Sequence, residues 1–375
     1  MPNQENQVSA SRCSNPRGFW GMRALVSHAQ SPISAGVAPE PTRTLRTVLV
    51  GSGSLGRAFL RATQARDAPI ELVGMLTGRH GRLTSSSGID LDAALFKVEA
   101  KEELGGPSGG DDFARVLEEL QPNLVVECIP QNVRSGEPSL SFLRTALDRG
   151  VNVVTANKAA IALGYRDLLH RASRTGAQFR FEATVLDALP AFAMMGRLRE
   201  ADICRVRGVL NGTSSLVLES VQLGSTRSRG LARAQAQGIA EADCVLDLDG
   251  WDAAAKAALL ANVWMGGALR VVDVARTGCE TLKDEQLRET GDNLHYRLVA
   301  EVTKDEAGNV RAKVEPVGLE AGDPFFSLKG GNGGLQIECR GGPRFTLLQD
   351  SHGLDDAAFA LLQDCRAILA GDPQV

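Results

Sequence analysis

The sequence predicts an α/β protein in which a doubly wound parallel sheet precedes a second, α+β part. Two observations support the first part: apolar runs alternate with amphipathic helical patterns, and a glycine-rich turn follows the first run. A third supports the second part, because the later runs alternate apolar and polar residues and are joined by turn-type connections. We therefore expect a parallel sheet covered on both faces, followed by strands of antiparallel character.

The elements of the first part follow in a regular order. We interpret each apolar run as a buried strand and each amphipathic stretch as a helix that covers the sheet. The predicted elements are the strand and helix in RTVLVGSGSLGRAFLRAT, the strand IELVGMLTG, the helix DDFARVLEEL, the strand PNLVVECIP, the helix SGEPSLSFLRTALDRG and the strand VNVVTANK.

The second part contains a predicted hairpin and a last helix. The hairpin NLHYRLVAEVTKDEAGNVRAKVEPV turns around Ala307-Gly308-Asn309. The stretch GLDDAAFALLQDCRAILA has the pattern of a helix that returns to the first domain. We expect a tail over 1–44, a first domain over 45–175, a second over 176–335 and a returning C-terminal segment over 336–375.

The first 44 residues are rich in Ser, Pro and Arg and poor in acid. They lack the continuous apolar stretch of a secretory signal. A disordered tail, or a start at Met22, is favoured over an organellar transit peptide, which the composition also fits. We therefore expect a cytoplasmic protein.

The overall composition is that of a globular protein with a small-molecule partner. Hydrophobic residues make up 43%, charged residues 23%, and the net charge is −4. That charge favours neither nucleic acid nor an anionic membrane, and no apolar run reaches the ~20 residues of a membrane-spanning helix. The seven cysteines form no CxxC pair, which argues against a zinc site and a disulfide framework.

A GxGxxG turn connects the first predicted strand to the first helix. Gly51 permits the tight turn, Gly53 lets the backbone approach a pyrophosphate, and Gly56 lets helix and strand pack closely. The diphosphate would lie on the N–H groups at the positive end of the helix, beside Ser54 and Leu55. This arrangement predicts a Rossmann-type dinucleotide site, and a purely structural strand–turn–helix is the alternative.

The segment after the second strand favours NADP(H), with NAD(H) as the other possibility. The carboxylate that binds a ribose 2′-hydroxyl is missing there, and the chain reads TGRHGR. Arg79 or Arg82 could therefore pair with a 2′-phosphate, although either side chain could also be solvated.

An acidic stretch, EADCVLDLDGWDAAAK, ends on a lysine. Asp252 and Lys256 are i and i+4, so they lie on one face of a helix. Asp249-Gly250 is the predicted cap of that helix. The alanines and Trp251 make it too apolar to be exposed on all sides, so we expect Lys256 to border a core or a cleft.

This stretch resembles the homoserine dehydrogenase signature Glu-x-Asp-Pro-x-x-Asp-x-x-Gly-x-Asp-x-x-x-Lys. Four other segments are similar to the family in the same order: VVECIPQNVRSGEPSL, VNVVTANKAAIA, FRFEATVLDALP and RGVLNGTSSLVL. The resemblance covers about residues 46–275. It implies a short form without a C-terminal regulatory domain, working as a homodimer through the second, substrate-binding domain.

The resemblance also implies roles for individual residues. Lys256, with Asp252, would be catalytic as the proton donor in the interconversion of L-aspartate 4-semialdehyde and L-homoserine. The positions implied to bind substrate are Glu241, Asp247, Asp252, Asn211, Thr213 and Lys158. Lys158 would also contact the coenzyme, and Gly238 would lie against the nicotinamide. A monovalent cation, usually sodium in the family, would be held by Glu182, Val185, Asp187 and Leu189, mostly through carbonyls.

The chain departs from the family pattern at several positions. Ile129 replaces a threonine, Ile239 a tyrosine and Cys244 a proline. The family's late Gly-x-Gly-Ala-Gly loop, which closes over the nicotinamide, is replaced by QDSHG, followed by two aspartates that would disfavour a phosphate. The alternatives are therefore another amino-acid oxidoreductase, or a non-catalytic paralogue that keeps the dinucleotide fold.

Overall fold

The structure, a computed structural model, describes residues 44–106, 112–198, 201–240 and 244–373, without the side chain of Asp292. The predicted tail, apart from Thr44, lies outside the described residues, as does Glu241.

The first sheet has the predicted doubly wound topology. Its strands are β1 (Leu45–Val50), β2 (Ile70–Leu76), β3 (Arg82–Thr84), β4 (Leu124–Glu127), β5 (Asn152–Thr155) and β6 (Phe179–Arg180). They lie in the order β3-β2-β1-β4-β5-β6, and all pairs are parallel except that of β3 with β2. The direction of the chain order therefore reverses between β1 and β4, which in open α/β sheets is where ligands bind.

Helices cover this sheet because each presents an apolar stripe to it. They are α1 (Ser54–Ala65), α2 (Leu91–Glu99), α3 (Phe113–Leu120), α4 (Ser139–Asp148) and α5 (Lys158–Thr175). Strands β1, β4 and β5 are almost entirely buried, as expected for a parallel sheet covered on both faces.

The second sheet is mainly antiparallel, as predicted. Its strands are β7 (Ile203–Val209), β8 (Ala275–Arg276), β9 (Leu294–Lys304), β10 (Val310–Glu320), β11 (Gly333–Cys339) and β12 (Arg344–Gln349). They lie in the order β12-β11-β7-β9-β10-β8, and only the pair β8–β10 is parallel. The predicted hairpin is confirmed, because β9 and β10 pair in antiparallel register from Leu294↔Glu320 to Lys304↔Val310.

The later helices follow β6 along the chain. They are α6 (Ala191–Gly196), α7 (Gly212–Gln222), α8 (Arg227–Ala236), α9 (Val245–Leu248), α10 (Trp251–Trp264), α11 (Asp284–Arg288) and α12 (Leu354–Ala370). Helix α10 packs on α5 on one side and on β9 and β10 on the other, so it lies where the two sheets meet.

The C-terminal segment 336–375 does not return to the first domain as a whole. Residues 344–349 pair with β11 in the second sheet, and only α12 packs on α1. The other predicted domain boundaries stay predictions. Within the described residues, no helix has the length and apolar character to cross a membrane.

Candidate active site

Two cavities open at the carboxyl ends of β1 and β4. The larger, about 1080 Å³, extends along the glycine turn and the segment after β2. The smaller, about 460 Å³, lies between the two sheets. Gly53, Cys128, Ile129 and Pro130 line both. One elongated ligand can therefore occupy the larger cavity, which we name the crevice, and extend into the smaller, which we name the inner cavity.

The glycine turn has the geometry that a dinucleotide needs. Gly51 has φ +100°, and a Cβ there would lie 2.8 Å from the Cys128 carbonyl. A Cβ on Gly56 would lie 2.1 Å from the Gly51 oxygen, so only glycine lets α1 pack this closely. At Gly53, which precedes α1, a Cβ would point into open space. Because α1 has no acidic residue in its first turn, its N-terminus suits an anion.

The two candidate arginines differ. Arg82 forms an ion pair with Asp112, a carboxylate that also pairs with Arg115. Arg79 lines the crevice and, among the described residues, has no hydrogen-bond or ion-pair partner. Both line the crevice, and of these two described arginines Arg79 is the one without a carboxylate partner.

A chain of three charged side chains lies in the inner cavity. The Lys158 Nζ lies 3.2 Å from Asp252 Oδ1, and the Lys256 Nζ lies 3.1 Å from Asp252 Oδ2. Lys256 also donates to the Leu210 carbonyl, and its side chain is 12% exposed. An ammonium has three N–H donors, so one donor of Lys256 is left for a ligand.

The elements around the cavity hold these side chains in place. Asn211 follows β7 and caps α7, because its side-chain oxygen accepts from Ser214 N at 2.8 Å. Its Nδ2 donates to Asp247 Oδ1 at 2.8 Å and to Asp252 Oδ2 at 3.1 Å. One amide therefore joins two carboxylates that would otherwise repel each other.

The charges of the cluster depend on one another. Burial opposes ionisation of Asp252, but the ammonium groups of Lys158 and Lys256 outweigh it and hold the Asp252 pKa well below its usual range. Burial would lower the pKa of Lys158, but the Asp252 charge raises it. Burial, followed by the negative charge of Asp252, raises the pKa of Asp247. A cation entering between the two aspartates would relieve this repulsion.

Glu127 supports Lys158 from the end of β4, a role that the sequence analysis missed. Its carboxylate accepts from Thr155 Oγ1 at 2.5 Å, from Ile129 N at 3.0 Å and from Asn157 Nδ2 at 3.4 Å. Asn157 in turn caps α5, whose first residue is Lys158. Burial raises the pKa of Glu127. The available signal was an acid that ends an apolar strand.

The predicted cap Asp249-Gly250 of α10 is confirmed at Gly250, which is the N-cap residue, and wrong for Asp249. The helix begins after Gly250, which has φ +81°, and the Asp249 side chain makes no cap hydrogen bond. The Asp249 carbonyl instead accepts from Arg276, whose guanidinium lies 4.0 Å from the Trp251 ring centroid. Glycine is needed here because the chain turns directly from α9 into α10.

The segment that replaces the late glycine loop lines the inner cavity. Gln349, Ser351, His352 and Gly353 all contribute. Asp355 and Asp356, the two following aspartates, are not among the described residues that line either cavity. Their neighbours Leu354 and Ala357 line the inner cavity instead. The Gly353 N–H donates to Asp187 Oδ2 at 3.0 Å and so holds the segment in place.

The remaining predicted site residues divide into two groups. Those that line the inner cavity are Gly53, Ser54, Leu55, Thr213, Gly238, Val185 and Asp187. Glu182 and Leu189 do not line it. The Glu182 carboxylate accepts from Phe192 N at 2.7 Å and Ala193 N at 2.9 Å, at the start of α6. Ile129 and Ile239 line the cavity where the family has hydroxyl groups.

The fold and the cavities together define an NAD(P)-dependent oxidoreductase. The family model described as "Homoserine dehydrogenase, NAD binding domain" matches residues 51–182, and that described as "Homoserine dehydrogenase" matches residues 190–365. The homoserine dehydrogenase of Sulfurisphaera tokodaii is 30% identical over 293 residues, which are 78% of this chain and 88% of that protein. The chain therefore belongs to the homoserine dehydrogenase family.

Further relatives agree with this assignment. An NAD(+)-dependent homoserine dehydrogenase of Pseudomonas canavaninivorans is 29% identical over 85% of this chain and 94% of that protein. The crystal structure of homoserine dehydrogenase from Thermoplasma acidophilum superposes with a TM-score of 0.75 at 26% identity, covering 87% of this chain and 99% of that one. A hyperthermophilic archaeal homoserine dehydrogenase in complex with NADPH shares the fold, with a TM-score of 0.72 at 24% identity, 88% of this chain and 99% of that one.

Proposed function

We propose that this chain interconverts L-aspartate 4-semialdehyde and L-homoserine, with NADP(H) as the preferred coenzyme, in threonine, methionine and isoleucine biosynthesis. The observation that carries the proposal is the position of Lys256. Its ammonium lies 3.1 Å from Asp252, has one unused donor, and lies in the inner cavity, which shares lining residues with the crevice. The nicotinamide, when bound, supplies or accepts the hydride.

Lys256 acts as the proton donor to the substrate oxygen. In the reductive direction the oxygen gains negative charge, and an ammonium both stabilises that charge and supplies the proton. Asp252 and the Leu210 carbonyl hold two of its N–H groups, so the third is directed to the ligand. In the oxidative direction the same nitrogen takes up the hydroxyl proton.

The carboxylates bind the substrate's ammonium. Asp247 and Asp252 are brought together by Asn211, and Thr213 donates to Asp247. Glu241 is assigned to the same role on the family resemblance alone. Lys158 has N–H groups beyond the one that Asp252 accepts, and these suit the substrate's carboxylate.

The coenzyme is held along the crevice. The turn of Gly51, Gly53 and Gly56, with Ser54 and Leu55, holds the diphosphate, and Arg79 pairs with a 2′-phosphate. Lys158 and Gly238 contact the nicotinamide end. In support, the crevice runs along Gly51, Gly53 and Arg79, and no ion pair with that arginine is present among the described residues.

A monovalent cation, sodium in the first instance, binds at the loop after β6. Glu182, Val185, Asp187 and Leu189 would supply the ligands. Among the described residues no hydrogen bond reaches the Val185 carbonyl, whereas that of Leu189 accepts from Ala191 N at 2.8 Å and keeps one lone pair. Burial raises the pKa of Glu182 to about 7. Burial and the Glu182 charge together raise the pKa of Asp364 to about 8. A cation bound nearby would offset both shifts. A homodimer formed through the second domain completes the proposal.

The direct test is an assay of purified protein with L-homoserine and each oxidised coenzyme, following the absorbance of reduced nicotinamide. The proposal requires homoserine-dependent reduction, with a higher kcat/KM for NADP+ than for NAD+. A protein that oxidises a different amino alcohol faster would support the other oxidoreductase alternative.

Replacement of Arg79 by alanine tests the coenzyme assignment. We expect KM for NADP+ to rise about 10- to 100-fold, because a charge-assisted hydrogen bond is lost, and KM for NAD+ to stay within about twofold. Arg134→Ala is the matched control, since that arginine is exposed and lies outside the crevice. Equal changes for both coenzymes would remove Arg79 from the 2′-phosphate site.

A further inference from the structure

The segment 350–353, between β12 and α12, forms part of the wall of the inner cavity. The residues of this segment that line the cavity are Ser351, His352 and Gly353. Among the described residues, one hydrogen bond joins the segment to a part of the chain outside 349–357: Gly353 N donates to Asp187 Oδ2 at 3.0 Å. The polar attachment of this part of the wall therefore depends on one carboxylate.

Both partners of this hydrogen bond have backbone conformations that side chains rarely adopt. Asp187 has φ +26° and Gly353 has φ +134°. Glycine adopts such angles freely, whereas at a residue with a side chain they cost free energy and persist only where the surrounding structure imposes them. Asp187 also lines the inner cavity, and among the described residues its side chain makes no other hydrogen bond. A strained residue with one directed contact beside a cavity indicates a role in binding there.

The segment lies where the coenzyme would end. The residues shared by the crevice and the inner cavity are Gly53, Cys128, Ile129 and Pro130. A dinucleotide held by the glycine turn would therefore extend its nicotinamide end into the inner cavity and leave its adenosine end in the crevice. Neither Asp187 nor 350–353 lines the crevice. The position of the segment should therefore affect the affinity for the nicotinamide end alone.

A role of the Asp187 charge is the alternative. Burial would lower the pKa of Lys158, and the charge of Asp252, with a smaller contribution from Asp187, raises it. Asp252 Oδ1, however, lies 3.2 Å from the Lys158 Nζ, whereas Asp187 has no ion pair among the described residues. The contact that Asp187 makes is with a neutral N–H, which requires an acceptor oxygen and not a charge.

We propose that Asp187 is a positioning residue, whose carboxylate holds the segment 350–353 as the wall against which the nicotinamide end of the coenzyme binds. Asp187 acts through Gly353 N and touches none of the reacting atoms. The proposal rests on the nicotinamide coenzyme of the proposed function. It explains the one glycine of QDSHG, because φ +134° at Gly353 is open to glycine and strained for other residues.

The experiment compares NADP+ with 2′-phospho-ADP-ribose, and NAD+ with ADP-ribose, since each fragment lacks the nicotinamide of its parent coenzyme. Dissociation constants are measured by calorimetry without substrate, for the wild type, Asp187→Gly and Asp187→Asn. Glycine removes the carboxylate and accepts the positive φ, whereas asparagine keeps an acceptor oxygen and loses the charge. Circular dichroism confirms that each variant is folded.

Asp305→Gly is the matched control. Asp305 Oδ1 accepts from Asn309 N at 2.8 Å, which is the same kind of hydrogen bond, but Asp305 is exposed in the hairpin and lines neither cavity. We expect this variant to bind every compound as the wild type does.

We expect the wild type to bind each coenzyme that it accepts about 10-fold or more tightly than the matching fragment. Asp187→Gly should lose at least about fivefold of this preference, with fragment affinity within about twofold of the wild type, and Asp187→Asn should keep most of it. A wild type without the preference, or an Asp187→Gly variant that keeps it, overturns the proposal.

Two further results would also overturn it. If Asp187→Asn loses as much as Asp187→Gly, the charge of Asp187 acts and not its hydrogen bond. If fragment affinity falls together with coenzyme affinity, the substitution disturbs the whole site. Since binding is measured without turnover, failure of the homoserine assay remains a separate result.

Discussion

Replacement of Lys256 by alanine lowers kcat by about 10²–10⁴, while the dissociation constant of the coenzyme stays within about twofold. The loss follows from the geometry. In the ion pair of Lys256 and Asp252, only the ammonium of Lys256 has a proton to give to a substrate oxygen. Its side chain is 12% exposed, so water has little access to replace it. Steady-state kinetics in both directions, with coenzyme binding by fluorescence, provide the measurement.

Two variants separate the proton from the charge. Lys256→Arg keeps the positive charge but gives up a proton far less readily, so we expect substrate affinity to recover and kcat to stay low. Lys283→Ala removes an exposed lysine that lines neither cavity and should change neither. Activity of Lys256→Ala within about threefold of the wild type would remove this residue from the proton-donor role.

Replacement of Asp252 by asparagine has the largest expected effect on stability. It takes from the ammonium groups of Lys158 and Lys256 their nearest counter-ion, about 3 Å away, in a cavity where Asp252 is 9% exposed. Removing one partner of a buried ion pair costs about 3–5 kcal/mol, so we expect the free energy of unfolding to fall by about this amount. Urea unfolding at neutral pH measures it, and kcat/KM should fall with it.

The pH dependence of this loss has a defined sign. The pKa of Asp252 is lower in the folded protein than its unfolded value of about 3.9. Its contribution is therefore complete above that value and disappears as the pH falls through the folded-state pKa. The difference between wild type and Asp252→Asn should be constant from about pH 6 upward over the neutral range and should shrink below about pH 4.

An exposed ion pair provides the control. Asp273 pairs with Arg270 at 2.6 Å, but the two side chains are 34% and 66% exposed. Asp273→Asn should cost less than about 1 kcal/mol, because solvent screens such pairs. A similar loss in both variants would show that the Asp252 effect does not come from its burial between two lysines.

The sequence predicted those features that depend on neighbours along the chain. The GxGxxG turn, its strand and its helix were predicted because the apolar pattern and the glycines lie within twenty residues of each other. Asp252 and Lys256 were placed on one helix face by their spacing alone, and the 3.1 Å contact confirms it. The expectation that Lys256 borders a cleft is confirmed as well.

The features that the sequence did not predict depend on distant contacts. Lys158, at the start of α5, forms an ion pair with Asp252 of α10, and the spacing of the two residues along the chain does not indicate that ion pair. His352 is partly buried only because Gly331 leaves room for its ring. Strands β11 and β12 carry ordinary strand patterns, and their place in the second sheet is decided by pairing with β7. Within the predicted cap Asp249-Gly250, the aspartate fits a cap by residue type, but the N-cap residue is Gly250, with φ +81°.

The claim on which the account depends is that Asp247 and Asp252 bind the ammonium of an amino-acid alcohol beside Lys256. The most direct measurement compares kcat/KM of the wild type for L-homoserine with that for 4-hydroxybutanoate, which lacks only the ammonium. We predict a preference for homoserine of about 100-fold or more, because the analogue lacks the ammonium that Asp247 and Asp252 would bind. Equal kcat/KM values for the two alcohols would contradict the account.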